Sequence, residues 1–113
     1  MKNILIILTA VSTFMSTQVF AKDLVCSADV NSELVFMNQV TPEKNEKVLI
    51  GREPNFTAYI TQKENNVYIL EAFIVNQETR IYSEGTIVQP ENHIKLSLWS
   101  REEIIDIDCT IAQ

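Results

Sequence analysis

The sequence predicts an all-β domain: an antiparallel meander of about seven or eight short strands forming a small barrel, with a two-layer sandwich as the runner-up. Three observations lead there. Val, Ile, Thr, Tyr and Phe recur in short runs separated by polar clusters, and helical periodicity is hard to find. The connections between runs are short, which favours antiparallel neighbours, because parallel pairing needs crossovers of about a dozen residues or more. Cys26 and Cys109 sit near the two ends of residues 22–113 and offer a disulfide between the first and last strands.

Residues 1–21 read as a removable secretory signal. Lys2 gives a weakly positive start, residues 4–15 are an apolar stretch, and Val19-Phe20-Ala21 places short side chains where a signal peptidase reads. A transmembrane anchor is the competing reading, but the stretch falls short of the ~20 apolar residues that span a bilayer. Asp23, shortly before Cys26, is a poor fit to a lipidation site. Cleavage after Ala21 leaves one small domain, residues 22–113, in a periplasmic or secreted location. Loss of Lys2 moves the formal charge from −6 to −7. A field of that sign repels phosphate backbones and anionic headgroups, so nucleic acid and stable membrane insertion after processing are not expected. Acidity serves solubility, and it also suits a cationic partner.

A domain this small buries a modest core, so an oxidising compartment makes a crosslink valuable. Only two cysteines exist, and they lack the Cys-x-x-Cys spacing of a catalytic dithiol. Closing a loop of about 84 residues would stabilise the fold by roughly 4–5 kcal/mol in the chain-entropy model.

Strands are expected over 24–30, 33–40, 47–51, 55–63, 67–76, 79–88, 93–100 and 103–111. Strand one alternates, with Leu24, Cys26, Ala28 and Val30 on one face. The connection 41–46 is the longest and most polar, and is expected to be mobile. With Arg101-Glu102 as its tip, the last hairpin pairs Leu98 with Ile105, Leu96 with Ile107 and Ile94 with Cys109 on one face. Its other face pairs Lys95 with Asp108, Ser97 with Asp106 and Trp99 with Ile104. A slip of one residue would mix the apolar and charged sets, so this register is strongly preferred. The middle is in conflict. An Asn65-Asn66 turn pairs Phe56, Ala58 and Ile60 with Val75, Phe73 and Glu71, whereas a Gln77-Glu78 turn sets Ile74 against Ile81 and Leu70 against Gly85. The two choose opposite faces as core, and a bulge near Gly85 is one resolution.

Glu71 interrupts the most apolar run, and the second turn sets Glu84 across from it. Two facing carboxylates raise one proton affinity, as in acid–base sites, so Glu71 and Glu84 are candidate pocket carboxylates. The competing reading has both pointing into water. His93 is the only histidine, and it has no second ligand at metal-binding spacing, so no metal or other cofactor is expected. No serine lies in a nucleophile-elbow context, and two glycines cannot build a phosphate loop. Trp99 shares the outer face with Lys95 and Ile104, a candidate binding surface; alternatively, Trp99 caps the sheet end. Asn55-Phe56-Thr57 matches the N-glycosylation pattern, though Phe56 also fits a core position.

The expected function is a non-enzymatic, exported binding module for a protein or small ligand. The alternative is an inhibitor of a secreted hydrolase, presenting loop 41–46 or the Trp99 patch. A small hydrolase using Glu71 and Glu84 is the third reading.

Overall fold

The computed structural model describes residues 22–112. The expected signal, residues 1–21, lies outside the described residues. Eight strands follow in order: β1 (Leu24–Val30), β2 (Glu33–Val40), β3 (Lys47–Arg52), β4 (Phe56–Glu64), β5 (Val67–Ile74), β6 (Thr79–Thr86), β7 (Ile94–Trp99) and β8 (Ile104–Ile111). Each lies within two residues of its expected span. β5 stops early because Val75–Gln77 winds into a 3-10 turn and Glu78 takes a left-handed conformation.

The strands form two four-stranded sheets, sheet A in the order β2-β1-β8-β7 and sheet B in the order β3-β4-β5-β6. All the ladders are antiparallel, and sequence neighbours remain spatial neighbours around the whole circuit. The expected small barrel is corrected to the runner-up, a two-layer sandwich, because no ladder joins β2 to β3 or β6 to β7. Side chains occupy those two seams instead. At the first, the Asn38 amide donates to the Ile50 carbonyl at 2.7 Å, and the Phe36 ring lies over Gly51 so closely that a Cβ there would meet it at 2.6 Å. At the second, Ile94 packs on Gly85, where a Cβ would come within 3.0 Å of it. The chain's only two glycines therefore sit on sheet B's two edge strands, each receiving a bulky residue from sheet A.

Alternation builds the core. Leu24, Cys26 and Ala28 face inward from β1, and Ile105, Ile107 and Cys109 do so from β8. Phe56, Ala58 and Ile60 of β4 pair with Ile74, Ala72 and Leu70 of β5 on the same buried face. Cys26 and Cys109 are directly opposed in the β1–β8 ladder, fully buried, and joined as a disulfide. Covalent closure thus falls between the first and last strands at the centre of sheet A, as the sequence predicts. Tyr68 is also fully buried, and its hydroxyl finds no hydrogen-bond partner among the described residues. Burial alone pushes that phenol above its ordinary value of 10.0.

The last hairpin has the expected register, from Ile94↔Cys109 to Trp99↔Ile104. The middle differs. The irregularity that reconciles its two turns lies between Gln62 and Glu64, not at Gly85, and shifts the β4–β5 pairing by one residue. The β5–β6 pairing is displaced by two, since the 3-10 turn takes up more chain than a two-residue loop. The one-residue shift brings Phe56, Ala58 and Ile60 onto the same core face as Leu70, Ala72 and Ile74, whereas the shift of two leaves the β5–β6 faces as they were.

The 41–46 connection is pinned. Pro42 is buried, Lys44 bridges to Gln62, the Asn45 amide donates to the Gln62 carbonyl at 2.7 Å, and the Thr41 hydroxyl donates to Asp23 at 2.6 Å.

Candidate functional site

Pleating gives each sheet one inward and one outward face, and the outward faces differ in chemistry. On sheet A, the ladders assemble two rows across four strands. One runs Met37, Ser27, Asp108, Lys95, and the next runs Leu34, Asp29, Asp106, Ser97. Beyond them lie Ile104 and Trp99, directly paired, with Trp99 75% exposed. Leu34 and Met37 are each 57% exposed on the opposite edge strand. Between the apolar edges runs a depression of about 290 Å³, lined by Ser27, Asp29, Lys95, Ser97, Asp106 and Asp108, with Ile107 beneath.

Asp29 and Asp106 are register partners, so two like charges face each other across one ladder. Such pairs destabilise a sheet. Asp106 accepts a 2.6 Å hydrogen bond from the Ser97 hydroxyl, and Asp108 lies 2.8 Å from His93 Nδ1. Asp29 has no hydrogen-bond or ion-pair partner among the described residues. The candidate surface expected from sequence, Trp99 with Lys95 and Ile104, is therefore placed on a single face, with Lys95 beside the depression and Trp99 at its end. Sequence reasoning missed Asp29. A signal was available: once Cys26 and Cys109 are opposed, counting three residues on in β1 and three back in β8 brings Asp29 to Asp106.

Sheet B resolves its charges. Leu49, Tyr59, Glu71 and Tyr82 form one outward row. Glu71 is only 4% exposed, yet it faces away from the core. Lys47 lies 3.2 Å from one carboxylate oxygen and Arg80 lies 2.5 Å from the other. Each cation also covers a ring, Lys47 over Tyr59 at 5.0 Å and Arg80 over Phe73 at 4.9 Å. The expected facing of Glu71 and Glu84 is corrected. The displaced β5–β6 register sets Glu71 against Tyr82 and Glu84 against Ile69, and Glu84 pairs with Lys63 at 3.4 Å. The two carboxylates occupy separate ion pairs and do not share a proton-holding site.

The end of the sandwich that carries the β7–β8 turn holds a cavity of about 330 Å³ between the sheets. His93 is exposed at the opposite end of β7, and no cluster of His, Cys, Asp or Glu with metal-holding geometry exists among the described residues. Asn55 is exposed, but its amide donates to Glu103, while Phe56 and Thr57 are buried. No helix among the described residues is long and apolar enough to cross a membrane. Set against family models, curated proteins and solved structures, the chain finds no match in any of the three, and the chemistry of these surfaces is what bears on function.

Proposed function

We propose that the chain is an exported, non-enzymatic binding module that docks a basic protein surface on the outward face of sheet A. The observation that carries this reading is the opposed pair Asp29 and Asp106, an unfavourable juxtaposition within the fold, lying between exposed apolar edges. A cationic side chain placed between the two carboxylates would relieve their repulsion, and Trp99, Leu34 and Met37 would lose water around it. Charge at the centre with aromatic and apolar anchors beside it is the composition of an interface with steering. The buried disulfide is compatible with export.

One feature favours the narrower reading, an inhibitor of a basic secreted hydrolase. The β7–β8 tip beside Trp99 is held firmly: the Ser100 amide donates to the Glu103 carbonyl at 2.9 Å, and the Glu103 amide donates to the Ser100 hydroxyl at 3.1 Å. Asn31 clasps the same turn, its side chain accepting from the Ile104 amide and its own amide donating to the Ile104 carbonyl. A turn already held in one conformation loses little entropy on binding.

Trp99 is the only tryptophan and lies on this face, so its fluorescence responds to binding there. A blocked peptide alternating arginine and leucine is expected to shift Trp99 emission to the blue saturably, with an affinity that falls as salt rises. Asp106→Asn should weaken it about tenfold, the scale of one charge-assisted hydrogen bond. The glutamate–leucine counterpart should leave the spectrum unchanged. A Trp99 signal that fails to respond to the arginine peptide, or that responds equally to both, would refute the reading.

A further inference from the structure

From the cavity at the open end of the sandwich we infer a second site, one that takes a primary aliphatic ammonium: an apolar chain ending in a protonated amine. At about 330 Å³ it lies at the small end of ligand cavities, which span ~300–1,000 Å³. Its floor is the end of the core: half-buried Leu98 of sheet A, flanked by Ile105 of sheet A and Ile74 of sheet B, which are 3% and 5% exposed. An alkyl chain there would rest chiefly on Leu98, covering the apolar surface that this side chain leaves to water.

The rim selects the head group. Glu102 and Glu103 reach it from the β7–β8 turn, and the ion pairs among the described residues involve neither carboxylate. Asn55 Nδ2 reaches across from the β3–β4 turn to both oxygens of Glu103, at 3.1 and 2.8 Å. That contact ties the β3–β4 turn of sheet B to the β7–β8 turn of sheet A beside the cavity and holds Glu103. Asn76 and Gln77 follow the end of β5 and add amides to the same rim. Acceptors that carry negative charge, set above an apolar floor, match a protonated amine on a hydrocarbon chain. They oppose a carboxylate on the same chain.

The site does not depend on the sheet A face, since none of its lining residues belongs to the acidic depression. The ammonium has two possible sources, a free alkylamine or a lysine side chain of a larger molecule. The probes separate them: n-hexylamine for the first and Nα-acetyl-lysine amide for the second. Hexanoate and hexanol serve as controls for charge and for the apolar chain.

Two-dimensional NMR at constant pH and salt is the measurement. n-Hexylamine should shift the amides and methyls of Ile74, Leu98 and Ile105 saturably. Hexanol should bind about tenfold more weakly, the worth of one charge-assisted hydrogen bond, and hexanoate should produce no shifts there. Saturable shifts from acetyl-lysine amide at the same methyls would mark the site as a lysine-side-chain receptor; binding of hexylamine alone would assign it to free amines. The double variant Glu102→Gln, Glu103→Gln should lose the preference for amine over alcohol, and Leu98→Trp, which fills the floor, should abolish binding of both. Retained spectral dispersion in each variant shows that the fold persists. Equal binding of hexylamine and hexanoate, hexylamine shifts confined to Asp29, Asp106 and Asp108, or no hexylamine shifts at all would overturn the inference.

Discussion

The two outward faces of the sandwich are made from the same kinds of residue, arranged to opposite effect. On sheet B, Glu71 lies at the centre of the face and is closed in by Lys47 and Arg80, each cation resting on a ring. Charge there is spent within the fold. On sheet A, Asp29 faces Asp106, Asp108 lies in the next row, and Lys95 is the cation beside them. Charge there is left over. The lesson is that a carboxylate's burial does not by itself mark a binding site: the nearly buried Glu71 is the better satisfied group, and the more exposed aspartates are the ones with capacity for a partner.

The sheets also hold themselves together differently, and the largest expected effect tests that difference. Sheet A carries a covalent link at its centre; sheet B has none. Replacing Cys26 and Cys109 together by Ala should cost roughly 4 kcal/mol by the loop-entropy argument, about half the stability of a small domain. Urea denaturation followed by circular dichroism measures it. A cost below about 1 kcal/mol would show that the ladder between β1 and β8 suffices alone, and that sheet A is no more dependent on its bridge than sheet B is on any one contact.

The seams come next in size. Gly51→Ala drives a methyl into the Phe36 ring, and the seam has to open or the ring has to turn, at about 1–3 kcal/mol. Gly85→Ala meets Ile94 at a longer distance and should cost less. Adding Phe36→Leu to Gly51→Ala should recover part of the loss in a double-mutant cycle. Additive costs in that cycle would mean the ring does not close the seam.

What the sequence revealed, and what it concealed, follows from the range of the interactions involved. The β7–β8 hairpin was legible because a short turn joins two strands whose apolar and charged sets agree in only one register. The disulfide was legible because two cysteines allow one pairing. Trp99, Lys95 and Ile104 came with that hairpin. The β4–β5 register was not legible, since the irregularity at Lys63 leaves no local mark; it exists so that Phe56 and Ile74 can share a face. The open seams were equally hidden, because Gly51 has its meaning only against Phe36, a residue on another strand of another sheet. Glu71 stands out in the sequence as a charge in an apolar run, but its partners Lys47 and Arg80 come from strands whose registers the sequence leaves open. Asp29 carries no mark of its own in the sequence, because its role arises only when the first and last strands are laid side by side.

The smallest expected effects bear most directly on function, and they run in opposite directions on the two faces. Glu71→Gln removes a charge that two cations have organised, and should destabilise by about 1–2 kcal/mol, modest because Lys47 and Arg80 remain half exposed to water. Asp29→Asn removes a repulsion and should stabilise by roughly 0.2–1 kcal/mol, as expected when like charges are no longer directly opposed. Binding should reverse the order. The arginine–leucine peptide that reports through Trp99 should lose affinity to Asp29→Asn and be indifferent to Glu71→Gln. A variant that folds better and binds worse is the signature of a charge kept for something outside the molecule. If Asp29→Asn instead lowers stability, then Asp29 is serving the fold as Glu71 does, and the difference between the two faces disappears.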